Sequence, residues 1–224
     1  MKFLCLHGIG TNNEIFKSQT AALRYALGSE HRYIFAQGSV PWAMAPELEG
    51  VAQESDTYFA YFDPSDASTY LEAYYQLDDF IRTEGPFDGV LAFSQGAGLA
   101  IAYMARARVE QAHAAPTFKC AILLSPTAVG DPFEWFNTGD MRRLQELPGG
   151  LKIEVPTAMI WGERDAYREQ EGMEKLFELF DDATSWNYIH NGVHEVPSPK
   201  LEDSVQQTKK LAIRSMTLAN HLVF

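Results

Sequence analysis

The segment Leu91-Ala92-Phe93-Ser94-Gln95-Gly96-Ala97-Gly98 holds the residues best suited to covalent chemistry. An apolar run ending at Phe93, a single serine, then a helix that opens with small residues is the pattern of a nucleophile elbow. In that motif a tight strand-to-helix turn lifts the hydroxyl above a sheet. Small residues are needed two before and two after the serine, because strand and helix pack closely there; Ala92 and Gly96 fill those places. A serine hydroxyl is a weak nucleophile at neutral pH, so it needs a base, and the base needs a group that fixes its tautomer. Asp165, after the apolar run in Trp161-Gly162-Glu163-Arg164-Asp165, and His194, in His190-Asn191-Gly192-Val193-His194, are the candidates in the order Ser, acid, His. His190 competes for the role of base but is expected at the end of its strand.

A second loop complements the first. Leu6-His7-Gly8-Ile9-Gly10-Thr11-Asn12 follows an apolar run and precedes a helical stretch, so the amide of Ile9, with that of Gln95, is placed to stabilise a developing oxyanion. The same loop matches only the first half of a dinucleotide fingerprint. Asn13 replaces the third glycine, and no acid closes the next strand to hold a ribose hydroxyl. His190, His194 and Glu195 lack a helix that would put both rings on one face, so no metal site and no cofactor is expected.

These side chains require a scaffold of alternating strands and helices. Short apolar runs predict strands over Lys2–Leu6, Tyr33–Ala36, Val90–Phe93, Cys120–Leu124, Ala158–Trp161 and Asn187–His190. Helical spacing marks Glu14–Leu27, Tyr70–Thr83, Gln95–Ala107, Met173–Phe180 and Val205–Leu222. That alternation predicts a mostly parallel α/β sheet with helices on both faces, in one domain, whose strand ends carry the site. Two segments break it, 38–68 and 128–152, and are expected to act as lids walling an apolar pocket. Trp42, Met44 and Phe62 in the first and Phe133, Trp135 and Phe136 in the second are the predicted substrate-binding residues.

Composition narrows the partners. The 224 residues are 46% apolar and include 14 Phe, 10 Tyr and 4 Trp, enough to bury a full core without metal or disulfide staples. With 18 Lys and Arg against 30 Asp and Glu the formal charge is −12, the wrong sign for a chain that binds by neutralising phosphates, so nucleic acid and anionic membrane are not expected partners. An acidic carrier protein would be repelled unless a basic pair such as Arg142-Arg143 received it, which leaves a free small-molecule ester or thioester at least as plausible as a carrier-bound one. Cys5 and Cys120 lie in apolar runs rather than in a spaced framework, and the apolar part of the N-terminus reads as too short for a secretory signal. A cytoplasmic location is the expectation.

Taken together, FDGVLAFSQGAGLA preceded by Gly85-Pro86, LHGIGTNNEIF, YFAYFD and the late GVHEVP resemble the FSH-type serine hydrolases, compact fungal α/β hydrolases, over nearly the whole chain. The resemblance implies an α/β-hydrolase fold and an esterase activity through an acyl-enzyme. Several similar proteins are thioesterases that release polyketide chains. It carries Ser94, Asp165 and His194 over as a triad and the Ile9 and Gln95 amides as the oxyanion hole. It also implies a fold without the first two strands of larger relatives, since the strand leading into His7-Gly8 starts at Lys2. The departure is Ala92, where the family has glycine, and it keeps a second reading open: a binding protein that retains the fold without the catalysis.

Overall fold

A computed structural model describes residues 1–49, 57–110, 115–127, 129–144, 152–201 and 203–221. In chain order the elements are β1 (Lys2–Leu6), α1 (Asn13–Gln19), α2 (Ala21–Leu27), β2 (Arg32–Ala36), β3 (Val40–Pro41), β4 (Phe59–Ala60), α3 (Ala67–Glu84), β5 (Gly89–Phe93), α4 (Gln95–Glu110), β6 (Cys120–Leu124), α5 (Pro132–Thr138), β7 (Thr157–Gly162), α6 (Arg168–Glu171), α7 (Met173–Phe177), β8 (Ser185–His190) and α8 (Ser204–His221). Six strands form a parallel sheet in the order β2-β1-β5-β6-β7-β8. β5, β6 and β7 are buried along their whole length, whereas β2 and β8 at the edges are partly exposed. This is why the central runs read as continuous apolar sequence: a parallel strand covered on both faces has no polar side to show.

Helices cover both faces. On one, α3 and α4 bury Tyr70, Ala73, Leu77, Ala97 and Ile101 against Leu4, Val90 and Leu123. On the other, Phe16, Leu23 and Leu27 of α1 and α2 meet Ala212, Met216 and Ala219 of α8 over Cys5, Leu91 and Ile122. α8 buries Ser204, Thr208, Ala212, Ser215, Met216 and Ala219, a stripe of helical period that leaves its lysines outside. Chain order reverses between β1, which is followed outward by β2, and β5, which starts the run to β8. Open α/β sheets bind ligands in the crevice that such a reversal leaves at the carboxyl ends of the strands.

Two expectations are corrected by local chemistry. Glu14–Leu27 is not one helix: the Thr20 hydroxyl bonds the Phe16 carbonyl (2.7 Å), and with ψ near 0° Thr20 ends α1 and begins α2. Met173–Phe180 is helical only to Phe177, because Ile153 pairs with Phe180 and takes that residue into a bridge. The irregular segments also carry structure of their own. The first contains the antiparallel β3–β4 pair and a 3₁₀ turn at Pro46–Leu48; the second contains α5, capped by the Asp131 carboxylate on the amides of Phe133 and Glu134. Residues 50–56, 128 and 145–151 of these segments, and Leu222 of the last helix, lie outside the described residues.

Candidate active site

β5 ends at Phe93 and α4 begins at Gln95, so one residue makes the whole turn. Ser94 makes it with φ of 53°, in the left-handed region that L residues avoid. The close approach behind this turn explains Gly96: a Cβ there would stand 2.5 Å from the His7 carbonyl oxygen and 2.7 Å from that of Leu6. Ala92, two residues before the serine, is fully buried and its methyl packs in the core on the α3/α4 face, so the elbow forms without glycine at that position.

Three loops from strand ends meet there. His194 Nε2 is 2.9 Å from Ser94 Oγ, and His194 Nδ1 is 2.9 Å from Asp165 Oδ2. All three residues are buried. The other carboxylate oxygen of Asp165 accepts the Tyr167 amide at 2.9 Å, which orients the carboxylate toward the ring. With the Nδ1 proton donated to Asp165, Nε2 presents its lone pair to the Ser94 hydroxyl. Burial works to raise the Asp165 pKa but is outweighed by the His194 hydrogen bond and charge, the Tyr167 amide and the neighbouring Ser125 hydroxyl, so the carboxyl sits below its ordinary range. The imidazole of His194 contacts the rings of Phe93 (5.0 Å) and Tyr167 (4.7 Å). His190 closes β8, fully buried, with Nδ1 accepting the Gly192 amide, and burial lowers its pKa. It makes no hydrogen bond to Ser94 among the described residues.

The loop after β1 is locked by His7. Its Nδ1 proton goes to the Gly8 carbonyl (2.7 Å), its Nε2 accepts the Gly38 amide (3.0 Å), and its own amide bonds the Tyr61 hydroxyl (3.0 Å). Gly10, with φ of 70°, lies so close to the first irregular segment that a Cβ would be 2.6 Å from the Ala45 amide nitrogen. Ile9 lines the same cleft as Ser94 and Gln95, the last at the start of α4, where the first amides have no acceptor inside the helix. The Gln95 side chain is tied to the first irregular segment. Its Oε1 accepts the Tyr61 amide (2.8 Å) and its Nε2 donates to the Phe62 carbonyl (2.7 Å).

Ser94 opens into a cleft of about 620 Å³. Trp42 and Met44 line it, with Ala43, Pro46 and Leu48 from the same segment. Phe62, Phe133, Trp135 and Phe136 are not among its lining residues. Phe62 is fully buried and stacks on Tyr70 at 3.9 Å; Phe133 packs on Tyr74, Tyr75 and the Arg106 guanidinium; Trp135 meets the edge of Tyr70; Phe136 faces solvent. The physical reason is that α5 needs a surface for its apolar side and finds it on α3, away from the strand ends. The wall expected from the second segment comes instead from the loops carrying Asp165 and His194. These contribute Tyr167, Val196, Ser198 and Pro199, with Thr127 after β6. Their only sequence signal is position, within a few residues of a predicted strand end.

This arrangement defines the class: a parallel sheet with a serine, histidine and aspartate meeting at the carboxyl ends of its strands is the architecture of the α/β hydrolases. The chain belongs to the family described as "Serine hydrolase (FSH1)", whose model matches residues 1–206. It is 34% identical to "Esterase FPY3" of Fusarium mangiferae over 96% of this chain and 99% of that one. It is 30% identical to "Hydrolase phiM" of Talaromyces stipitatus over 92% of this chain and 84% of the relative. A carboxylesterase from Mesorhizobium loti shares the fold with a TM-score of 0.58 at 16% identity, covering 93% of this chain and 86% of its own. Arabidopsis thaliana SOBER1 does so at 0.55 and 17%, covering 96% and 99%.

Proposed function

We propose that this protein hydrolyses carboxylic esters with an apolar acyl part, through an acyl-enzyme on Ser94. The observation that carries the reading is the hydrogen-bonded line from Asp165 through His194 to Ser94, opening into an apolar cleft. The esterase relatives support the choice of bond. In the proposed reaction the Ser94 proton passes to His194 Nε2 as Oγ bonds the substrate carbonyl carbon, and the carbonyl oxygen takes up charge facing the Ile9 and Gln95 amides. Collapse expels the alcohol, which leaves with the proton from His194. Water then repeats the sequence on the acyl-enzyme, releasing the acid and restoring the Ser94 hydroxyl. Asp165 holds the ring and stabilises its charged form.

Trp42, Met44 and Leu48 are assigned to the acyl chain; Phe62, Phe133, Trp135 and Phe136 are not. A thioester would pass through the same acyl-enzyme, and carrier-bound delivery, as in release of a polyketide chain, is the more demanding variant because the chain is strongly acidic. The same reading takes residues 1–224 as one hydrolase domain. The free, buried Cys5 and Cys120, the latter with its thiol pushed up to about 12 by burial, support a reducing, cytoplasmic compartment. Among the described residues no helix is long and apolar enough to cross a membrane.

The test is a fluorophosphonate probe followed by p-nitrophenyl esters and acyl thioesters of graded chain length. Labelling at Ser94 and turnover that rises with acyl length are expected. A folded protein that leaves the probe unreacted would instead be a binder on a hydrolase fold.

A further inference from the structure

β6 leaves the sheet between β5, which leads to Ser94, and β7, which leads to Asp165. Its exit turn, Ser125-Pro126-Thr127, therefore runs beside both ends of the hydrogen-bonded line. Ser125 is fully buried and held at φ of 41°, and its hydroxyl favours the charged form of Asp165 without making a bond of normal geometry. Thr127 reaches the other end. Its amide donates to the Ser94 carbonyl at 3.2 Å, and its Oγ1 lies 3.3 Å from Ser94 Oγ at the cleft wall.

The direction of that second bond follows from the first shell of protons. The Asp165 carboxylate takes the Nδ1 proton of His194, so Nε2 has a lone pair, and the single proton of Ser94 is directed to it. Ser94 Oγ can then only accept from Thr127. We infer that Thr127 is a positioning residue for the nucleophile: its O–H occupies one lone pair of Ser94 Oγ while its amide fixes the Ser94 carbonyl, so that the remaining lone pair faces the substrate carbonyl on the side of Ile9 and Gln95. A serine hydroxyl otherwise has three staggered wells to choose from. One is selected here by two partners, His194 and Thr127, rather than by His194 alone. This inference rests on the reading of Ser94 as nucleophile.

The test compares Thr127→Val, which keeps the shape and removes the hydroxyl, with Thr127→Ser, which keeps the hydroxyl. The readouts are steady-state ester hydrolysis and the second-order rate of fluorophosphonate labelling, in which Oγ replaces fluoride on phosphorus and His194 takes the proton. Thr127→Val should lose about tenfold in both kcat and labelling rate, the worth of one ordinary hydrogen bond, with KM and Tm unchanged. Thr127→Ser should recover most of that loss. Should Thr127→Val fail to fold, Thr127→Ala is the second hydroxyl-free chain and should show the same loss. A valine or alanine variant reacting at the wild-type rate overturns the inference, as does a serine variant as slow as valine, which would mark a packing role. Ser94→Ala separates the two levels: turnover or labelling that survives there removes the nucleophile reading itself, whereas its loss beside an unaffected Thr127→Val removes only the role of Thr127.

Discussion

Ser94 occupies a backbone region that costs of order 1 kcal/mol, and its surroundings hold it there. If the line Asp165–His194–Ser94 works as a unit, Ser94→Ala and His194→Ala should each lower kcat by about 10³-fold or more while leaving the fold intact. Asp165→Asn should do nearly as much by favouring the wrong tautomer of His194. An inactive His190→Ala beside an active His194→Ala would move the base to His190. Since the proposed proton transfer runs through His194 and uses no metal, kcat/KM should be unchanged by EDTA; loss of activity restored by zinc would overturn the reading. A second histidine governs stability instead. Burial pushes His7 down to about 4, against the smaller opposing effect of its bond to the Gly8 carbonyl. An unfolded histidine protonates near 6.5, so the unfolded state binds the proton first as pH falls. The stability from neutral His7 is thus fully present above that value and is lost toward pH 4, by on the order of 3 kcal/mol. His190, also lowered by burial, acts in the same direction. Denaturation measured between pH 7 and pH 4.5 should show this slope, and His7→Gln should flatten it.

At the level of elements, the cleft is set by how the first irregular segment is tied to the sheet. The Gln95 side chain takes no part in the proposed reaction; it joins the start of α4 to the chain between β4 and α3 through the Tyr61 amide and the Phe62 carbonyl. Gln95→Leu leaves both groups buried and unpaired, at about 1–3 kcal/mol each. Urea denaturation should show a loss of this order. Activity should fall too, since the shifted segment carries Trp42 and Met44 at the cleft. Unchanged stability would mean that water or another side chain replaces the amide. Gly96→Ala is expected to be as damaging for a different reason: its methyl must displace backbone at 2.5 Å, which a strand and a helix cannot both yield to.

For the whole molecule the governing quantity is charge. At −12, with Glu47 and Glu195 at the cleft and Lys200 the lone Lys or Arg among the described residues lining it, a polyanionic substrate approaches against the field of the protein. A neutral p-nitrophenyl ester should show kcat/KM independent of salt. A polyanionic thioester with the same acyl group should be slower at low ionic strength and gain as salt is added, since screening shortens the range of repulsion to about 8 Å at 0.15 M. If the anionic thioester is instead faster at low salt, a local basic surface receives it and carrier-type delivery becomes the better reading.

Much of this molecule was legible in its sequence because the signals are local. Apolar runs marked all six strands of the main sheet to within two residues, most clearly β5, β6 and β7, which are buried on both faces, and the run from Leu91 to Gly98 marked the elbow, since the steric demands of that turn fall on adjacent residues. The strands before Asp165 and His194 placed both at one edge of the sheet for the same reason. The pocket was legible only in its first wall. Trp42 and Met44 line it, whereas Phe62, Phe133, Trp135 and Phe136 pack elsewhere, because an aromatic side chain satisfies a core and a cleft equally well and only the packing partner decides between them. Thr127 and Tyr167 were not singled out for the converse reason: beyond lying near a predicted strand end, nothing in their own neighbourhoods distinguishes them. They stand beside Ser94 and His194 solely because β6 and β7 are neighbours of β5 and β8 in the sheet, and strand order is set by long-range pairing that no window of sequence contains.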